Sequence, residues 1–145
     1  MSRSSPHRRS TALSAVRPTR CCPCPCTRPG LLISLTSAGR TAHEIRSAGG
    51  FAVNVLSWEQ RELTRRFAEE PARHRFAGVP WVSEGGQPVL AGSAAGVVCA
   101  VESCYDVWDH TLLVGRVLRS AHHPDRTPLL YHRHEWHPFL RTSGS

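Results

Sequence analysis

Eleven side chains in this sequence, six cysteines and five histidines, have the chemistry to hold a metal, form a covalent bridge or move a proton in clusters. Four are cysteines packed into six positions, Cys21, Cys22, Cys24 and Cys26, in the run "CCPCPC". Structural zinc sites pair C-x2-4-C with a second, distant pair, because four ligands must reach tetrahedral positions around one ion. Here Cys24 is separated from Cys22 and from Cys26 by one proline each, so closure within the run would be strained. No spaced histidine pair follows to complete a zinc set. Disulfides need an oxidising compartment, and "MSRSSPHRRSTALSAVRPTR" has no apolar core of a secretory signal. A transit peptide shares that Arg- and Ser-rich, acid-poor character. The remaining pair, Cys99 and Cys104, falls on a strand pattern and reads as small core or edge residues. The "HH" at 122–123 and the "YHRHEWH" at 131–137 supply the histidines. A strand there would put His132 and His134 on one side, with no partner carboxylate, so surface histidines are expected and no metal. Nucleophile elbows, P-loops and dinucleotide fingerprints are absent, and neither Ser34 nor Ser37 has a neighbouring base.

The chain has 145 residues and a formal charge of +7. The excess is local. Residues 1–30 hold six arginines and no acid, while the rest carries 12 arginines against 11 acids. The body is therefore nearly neutral and offers no basic face to track phosphodiesters, so no nucleic-acid partner is expected. No stretch approaches the roughly 18 consecutive apolar residues of a membrane span. All 18 basic residues are arginine, as GC-rich coding produces.

The elements that must position any site begin near Gly30, where the texture changes. "LLISL" (31–35) is a buried strand by pattern. In "RTAHEIRSAGG", Thr41 and Glu44 have capping-box spacing and Gly49-Gly50 a stop signal, so a helix is expected. "FAVNVL" (51–56) is a strand. "SWEQRELTRRFAEEP" opens on a second capping box, Ser57 and Gln60, carries Leu63 and Phe67 on one face, and closes at Pro71. "GGQPVL" is a turn and a short extended piece. In "VVCAVESCYDV", Val97, Cys99, Val101, Tyr105 and Val107 alternate with Glu102 and Asp106, the period of a half-buried strand. "WDH" is a tight connection to "TLLVGRVLRSA", giving an antiparallel hairpin, and "LLYHR" is a last strand. Five strands with two helices between the first ones predict an α+β, barrel-like domain. The expected organisation is a basic tail over 1–30, one domain over 31–140 and a short tail over 141–145.

Several of these pieces in order, "S-x-x-x-T…I-R-x-x-G-x-FAVNVL", "L-x-x-x-FA" before "RFAGV", "PVL-x-G", "DH-x-x-x-x-G-x-V" and "PLLYH", resemble the split-barrel flavin reductase family from about Leu31 to Leu140. Its members are the reductase components of two-component monooxygenases. The resemblance implies an FMN-binding split β-barrel and an NAD(P)H:flavin oxidoreductase that uses FMN or FAD with NADH or NADPH. Hydride would pass to flavin N5, and reduced flavin to a monooxygenase partner. It further implies a cytoplasmic homodimer, for which Val97–Val107 and Thr111–Leu118 are candidate edges. Ser37, Arg40 and Thr41 match the loop that contacts the flavin phosphate and ribityl chain. Phe51 and Asn54 match the strand under the flavin, although Asn54 serves equally well as a strand-pairing residue. Asp109 and His110 match a "GDH" turn on the nicotinamide side, with His110 orienting or polarising; Trp108 stands where that motif has glycine. Tyr131 and His132 match a closing "LLYH".

The family's flavin-binding segment before its "LLISL"-like strand has no match in residues 1–30, which makes the barrel incomplete at its N-terminus. Back-translated with GC-rich codons and read one frame over, "CCPCPC" yields a peptide close to that segment's S-x-S-x-x-P. Residues 1–30 are therefore expected to be a disordered or frame-shifted tail whose cysteines carry no function. Two alternatives stand beside the reductase: a catalytically dead, truncated flavin-binding remnant, and a basic-armed binding module.

Overall fold

The computed structural model describes residues 29–71 and 74–140. The readings of "CCPCPC" and of the two tails lie outside the described residues, apart from Pro29 and Gly30.

Strand β1 (Gly30–Thr36) leads into helix α1 (Arg40–Ala48), and β2 (Gly50–Val55) follows after Gly49. Gly49 stops α1 as the sequence predicts. It takes φ +70°, open to glycine without a Cβ clash, and its N–H caps the Ile45 carbonyl at 2.9 Å. The start of α1 differs from expectation. Its N-cap is Gly39, and Thr41 lies inside the first turn and not at the cap. Glu44 consequently does not close a capping box. It pairs with Arg40 one turn back, at 2.7 Å. The second box forms at Ser57 and Gln60 as expected, with Gln60 Oε1 accepting from the Ser57 N–H at 3.1 Å. The chain first makes a 3-10 turn over Trp58–Gln60 and then α2 (Arg61–Glu69).

Hairpin β3 (Trp81–Glu84) and β4 (Gln87–Leu90) follows, then the long hairpin of β5 (Ala95–Val107) and β6 (His110–His122). A last hairpin joins β7 (Leu129–His132) to β8 (Glu135–Pro138). Eight strands stand where five were expected: β3 and β8 are additions, and β4 is the short extended piece of "GGQPVL". Arg133 and His134 form the β7–β8 turn, with φ +51° and +66°, so His134 does not share a strand face with His132.

The main sheet is antiparallel, in the order β1-β6-β5-β2. Strands β5 and β6, read as candidate edges, are its two central strands, and β1 and β2 flank them. Two irregularities interrupt the β5–β6 register: β6 carries an extra residue, Leu118, opposite Val98/Cys99, and β5 carries one, Glu102, between Val101 and Ser103, where the strict alternation expected of β5 is broken. Bulges of this kind curl a sheet. Val98 and Cys99 are both buried because both faces of β5 are covered there.

Two apolar clusters result. Ile33, Ile45, Phe51, Cys99 and Leu113 fill the space between α1 and the sheet. Burial of side chains as large as Phe51 and Leu113 contributes roughly 1.5–3 kcal/mol each. Leu56, Val79 and Leu90 form the second cluster, covered by Leu63 and Phe67 of α2, by Phe76, and by Leu129. The Phe67 and Phe76 rings meet edge to face at 5.1 Å. Backbone bonds from Leu129 N–H to Leu56 O and from His123 N–H to Ala94 O fix the β7–β8 hairpin at the Ala95/His122 end of the sheet. The β5–β6 turn lies at the other end.

Candidate functional site

At that other end, pairing of Thr36 with His110 brings the β1–α1 loop against the β5–β6 turn. The Ser37 N–H donates to the Asp109 carbonyl at 2.8 Å. Five of the nine residues singled out from the sequence, Ser37, Arg40, Thr41, Asp109 and His110, therefore occupy one neighbourhood. It is built from the end of β1, the first turn of α1 and the start of β6.

Each contributes something different. The first-turn N–H groups of a helix have no intrahelical partner, and α1 carries no acidic side chain in its first turn. Its N-terminus favours an anion by dipole and by free donors. Arg40 is exposed, and only its Nε is tied, to Glu44. His110 Nδ1 lies 2.8 Å from Asp109 Oδ1. The hydrogen bond from His110 is the largest cause holding the Asp109 carboxyl below its ordinary range, followed by a backbone bond and the His110 charge. A carboxylate only accepts, so Nδ1 carries the proton and Nε2 is left as the acceptor nitrogen.

Ser37 is committed further than its sequence position suggests. Its Oγ lies 2.9 Å from Thr111 Oγ1, and Thr111 Oγ1 donates to Asp106 Oδ1 at 3.0 Å. Thr111 has one hydroxyl proton, and the carboxylate takes it. The Ser37 proton must therefore go to Thr111, leaving Ser37 Oγ as an acceptor. Donors for a phosphate come from Arg40 and the α1 N–H groups, not from Ser37. Asp106 also pairs with Arg46 of α1. This chain of Ser37, Thr111, Asp106 and Arg46 was not foreseen: strand alternation marks Asp106 only as polar, and nothing in spacing links it to α1. It borders a cavity of about 270 Å³ that Trp108 also lines.

The other four residues lie elsewhere. Phe51 is 3% exposed and its ring belongs to the core under α1, not to an open face. Asn54 is 1% exposed. It spans from β2 to β4, its Nδ2 donating to Pro88 O at 3.3 Å and its Oδ1 accepting from Leu90 N–H at 2.9 Å, which is the strand-pairing role left open above. Tyr131 and His132 sit on the hairpin anchored at the opposite end of the sheet, exposed, with the Tyr131 and Trp136 rings 4.5 Å apart. A larger hollow of about 820 Å³ runs along α2, lined by both signs of charge, and none of the nine residues borders it. Among the described residues no three His, Cys, Asp or Glu side chains are grouped to hold a metal. No helix among them is long and apolar enough to cross a membrane.

The flavin reductase like domain model matches residues 19–139, starting within the segment read above as a tail. The chain is 36% identical over 109 residues to the reductase subunit HsaB of a flavin-dependent monooxygenase from Rhodococcus jostii, covering 74% of this chain and 55% of that one. It is 39% identical over 111 residues to an NADH-dependent FMN reductase of Streptomyces nodosus subsp. asukaensis, covering 71% and 58%. It thus spans somewhat over half the length of these curated relatives. Among solved structures, the Streptomyces globisporus NADH:FAD oxidoreductase in complex with NAD and FAD fragments superposes with a TM-score of 0.74 at 28% identity, over 81% of this chain and 72% of that one. The α+β fold, with its curled antiparallel half-barrel and two short helices, matches such split-barrel neighbours.

Proposed function

Because the chain belongs to the flavin reductase like domain family, we propose that it reduces FMN or FAD with NADH or NADPH and supplies the reduced flavin to a monooxygenase. The observation that carries this reading is the bond from Ser37 N–H to Asp109 O, which ties an anion-favouring helix start to the turn bearing His110. Relatives named as reductase subunits of monooxygenases support it.

The donor set fits the phosphate end of a flavin nucleotide: the exposed guanidinium of Arg40, whose Nε is tied to Glu44 while its other N–H groups remain, the N–H groups of the first turn and Thr41 within that turn, which itself holds no acid. The sealed side chains of Phe51 and Asn54 do not furnish a ring-binding surface. In the proposed site Arg40 and the α1 N-terminus hold the phosphate. Bound flavin supplies the hydride acceptor, N5. His110, steadied by Asp109 through Nδ1, directs Nε2 toward the incoming nicotinamide and orients it. Holding two rings in register is the main contribution required of the protein, and no general base is needed.

The proposed assembly is a cytoplasmic homodimer in which a second copy brings Tyr131 and His132 to this site. Their hairpin is anchored far from His110 in one chain, and it exposes Leu130, Tyr131, Phe139 and Leu140. Light scattering on the purified protein reads the assembled mass. The activity test is NADH or NADPH oxidation by the full chain with and without added FMN or FAD. Flavin-dependent oxidation is expected, and its absence with every pairing would overturn the proposal.

A further inference from the structure

The tip of the β5–β6 hairpin combines features that a turn does not need. Trp108 holds φ +53°, the left-handed region where glycine is the relaxed choice and a bulky side chain is strained. Its indole is 96% exposed, so no packing within the chain offsets that strain. It nonetheless lines the 270 Å³ cavity, together with His43 and Arg46 of α1 and the hydroxyl residues Ser37 and Thr111. The cavity has room for a single ring system and not for a dinucleotide.

Its polarity is set from beneath. Asp106 takes the Thr111 proton, and Thr111 takes the Ser37 proton. What Ser37 Oγ presents to the cavity is a lone pair. An aromatic face beside a fixed acceptor selects a flat ring that carries its own N–H.

We propose that this cavity is a subsite for a planar nitrogen heteroaromatic ring with an exocyclic amino or carboxamide group, stacked on Trp108 and donating to Ser37 Oγ. Arg46, held by Asp106, edges the ring. The inference rests on the reductase reading, because both ends of a pyridine dinucleotide have this chemistry: adenine through its amino group, nicotinamide through its carboxamide.

The probes are AMP and nicotinamide mononucleotide, titrated separately by calorimetry into the full chain and into Trp108→Gly, Trp108→Phe and Ser37→Ala. At least one nucleotide is expected to bind. Trp108→Gly should weaken it roughly tenfold or more, as loss of a stacking partner does, and Trp108→Phe should stay within a few-fold. Ser37→Ala should weaken the same nucleotide, yet leave unchanged the analogue without the amino group: purine riboside monophosphate for AMP, nicotinic acid mononucleotide for the other. Whichever nucleotide responds identifies the ring. Trp108→Gly should melt no lower than the parent, since glycine relaxes the turn, which separates a binding loss from misfolding. Unchanged affinity of both nucleotides for Trp108→Gly overturns the subsite. So does failure of both nucleotides to bind the parent; if the parent still oxidises NADH with flavin, the reductase reading survives that result. Absence of that oxidation sinks the reductase reading, and the titrations then judge the subsite alone.

Discussion

Replacing Gly115 by alanine tests whether Phe51 belongs to the core or to a ligand. A Cβ at Gly115 would lie 2.5 Å from Phe51 Cζ, 2.8 Å from Phe51 Cε1 and 2.8 Å from Cys99 Cβ. Carbon atoms rest at about 3.5–4.0 Å, so the insertion is about 1 Å too close on two sides. Cys99 Cβ is fixed to the backbone of a central strand, and the Phe51 ring is hemmed by Ile33, Ile45 and Leu113. Overpacking of this kind costs about 1–3 kcal/mol. Restricting the unfolded chain returns roughly 0.4–1 kcal/mol, leaving a net loss of about 1–2 kcal/mol. For a domain of this size that lowers Tm by about 3–10 °C. A thermal melt by circular dichroism reads it directly. In a Phe51→Leu background the cost should shrink, because the two positions are in contact and do not add. A Tm for Gly115→Ala equal to or above the parent's would mean that the ring is not where the packing puts it. Phe51 would then return as a candidate flavin contact.

Four further outcomes are expected. Arg40→Ala should weaken FMN or FAD binding by roughly 1.5–3 kcal/mol, the size of a hydrogen bond to a charged group, in a flavin fluorescence titration. His110→Ala should slow hydride transfer in stopped-flow reduction while leaving the flavin titration unchanged; identical defects in the two variants would refute the division of roles. Burial raises the Cys99 thiol to about 11 from an ordinary 9.0. The unfolded chain thus loses this proton first, and the stability that Cys99 contributes falls as pH rises from about 9 to about 11. By the same burial, mapped alkylation of the folded protein at pH 8 should label exposed Cys104 and spare Cys99.

The sequence makes the long hairpin legible because β5 and β6 meet at a tight turn and carry β-forming residues throughout. It makes the ends of α1 half legible. Gly49 is a stop by its own backbone freedom, whereas the choice between Gly39 and Thr41 as N-cap depends on where β1 releases the chain. Strand β3 escaped because Trp81–Glu84 is short, follows Pro80 and is not deeply buried, so it shows no period. The mixed fate of the site residues has one cause. Strand β2 is buried on both faces for most of its length, so alternation cannot tell which side of Phe51 or Asn54 is core. The group around His110 was recoverable because a loop and a turn joined by a backbone bond do not depend on that choice. Tyr131 and His132 needed knowledge of which end of the sheet their hairpin is anchored to.

The burial of β5 on both faces at Val98 and Cys99 bears on how the protein comes apart. Cys99 is buried in the cluster beneath α1, while its neighbour Val98 lies beside the β3–β4 turn, where a side chain at Gly85 would touch it. One strand thereby faces both halves of the fold through consecutive residues. Melting of either half must disturb β5, and with it the pairing that holds β2 and β6. The two hydrophobic clusters should therefore be lost together, so that heat or denaturant meets one cooperative transition where the layout alone would suggest two.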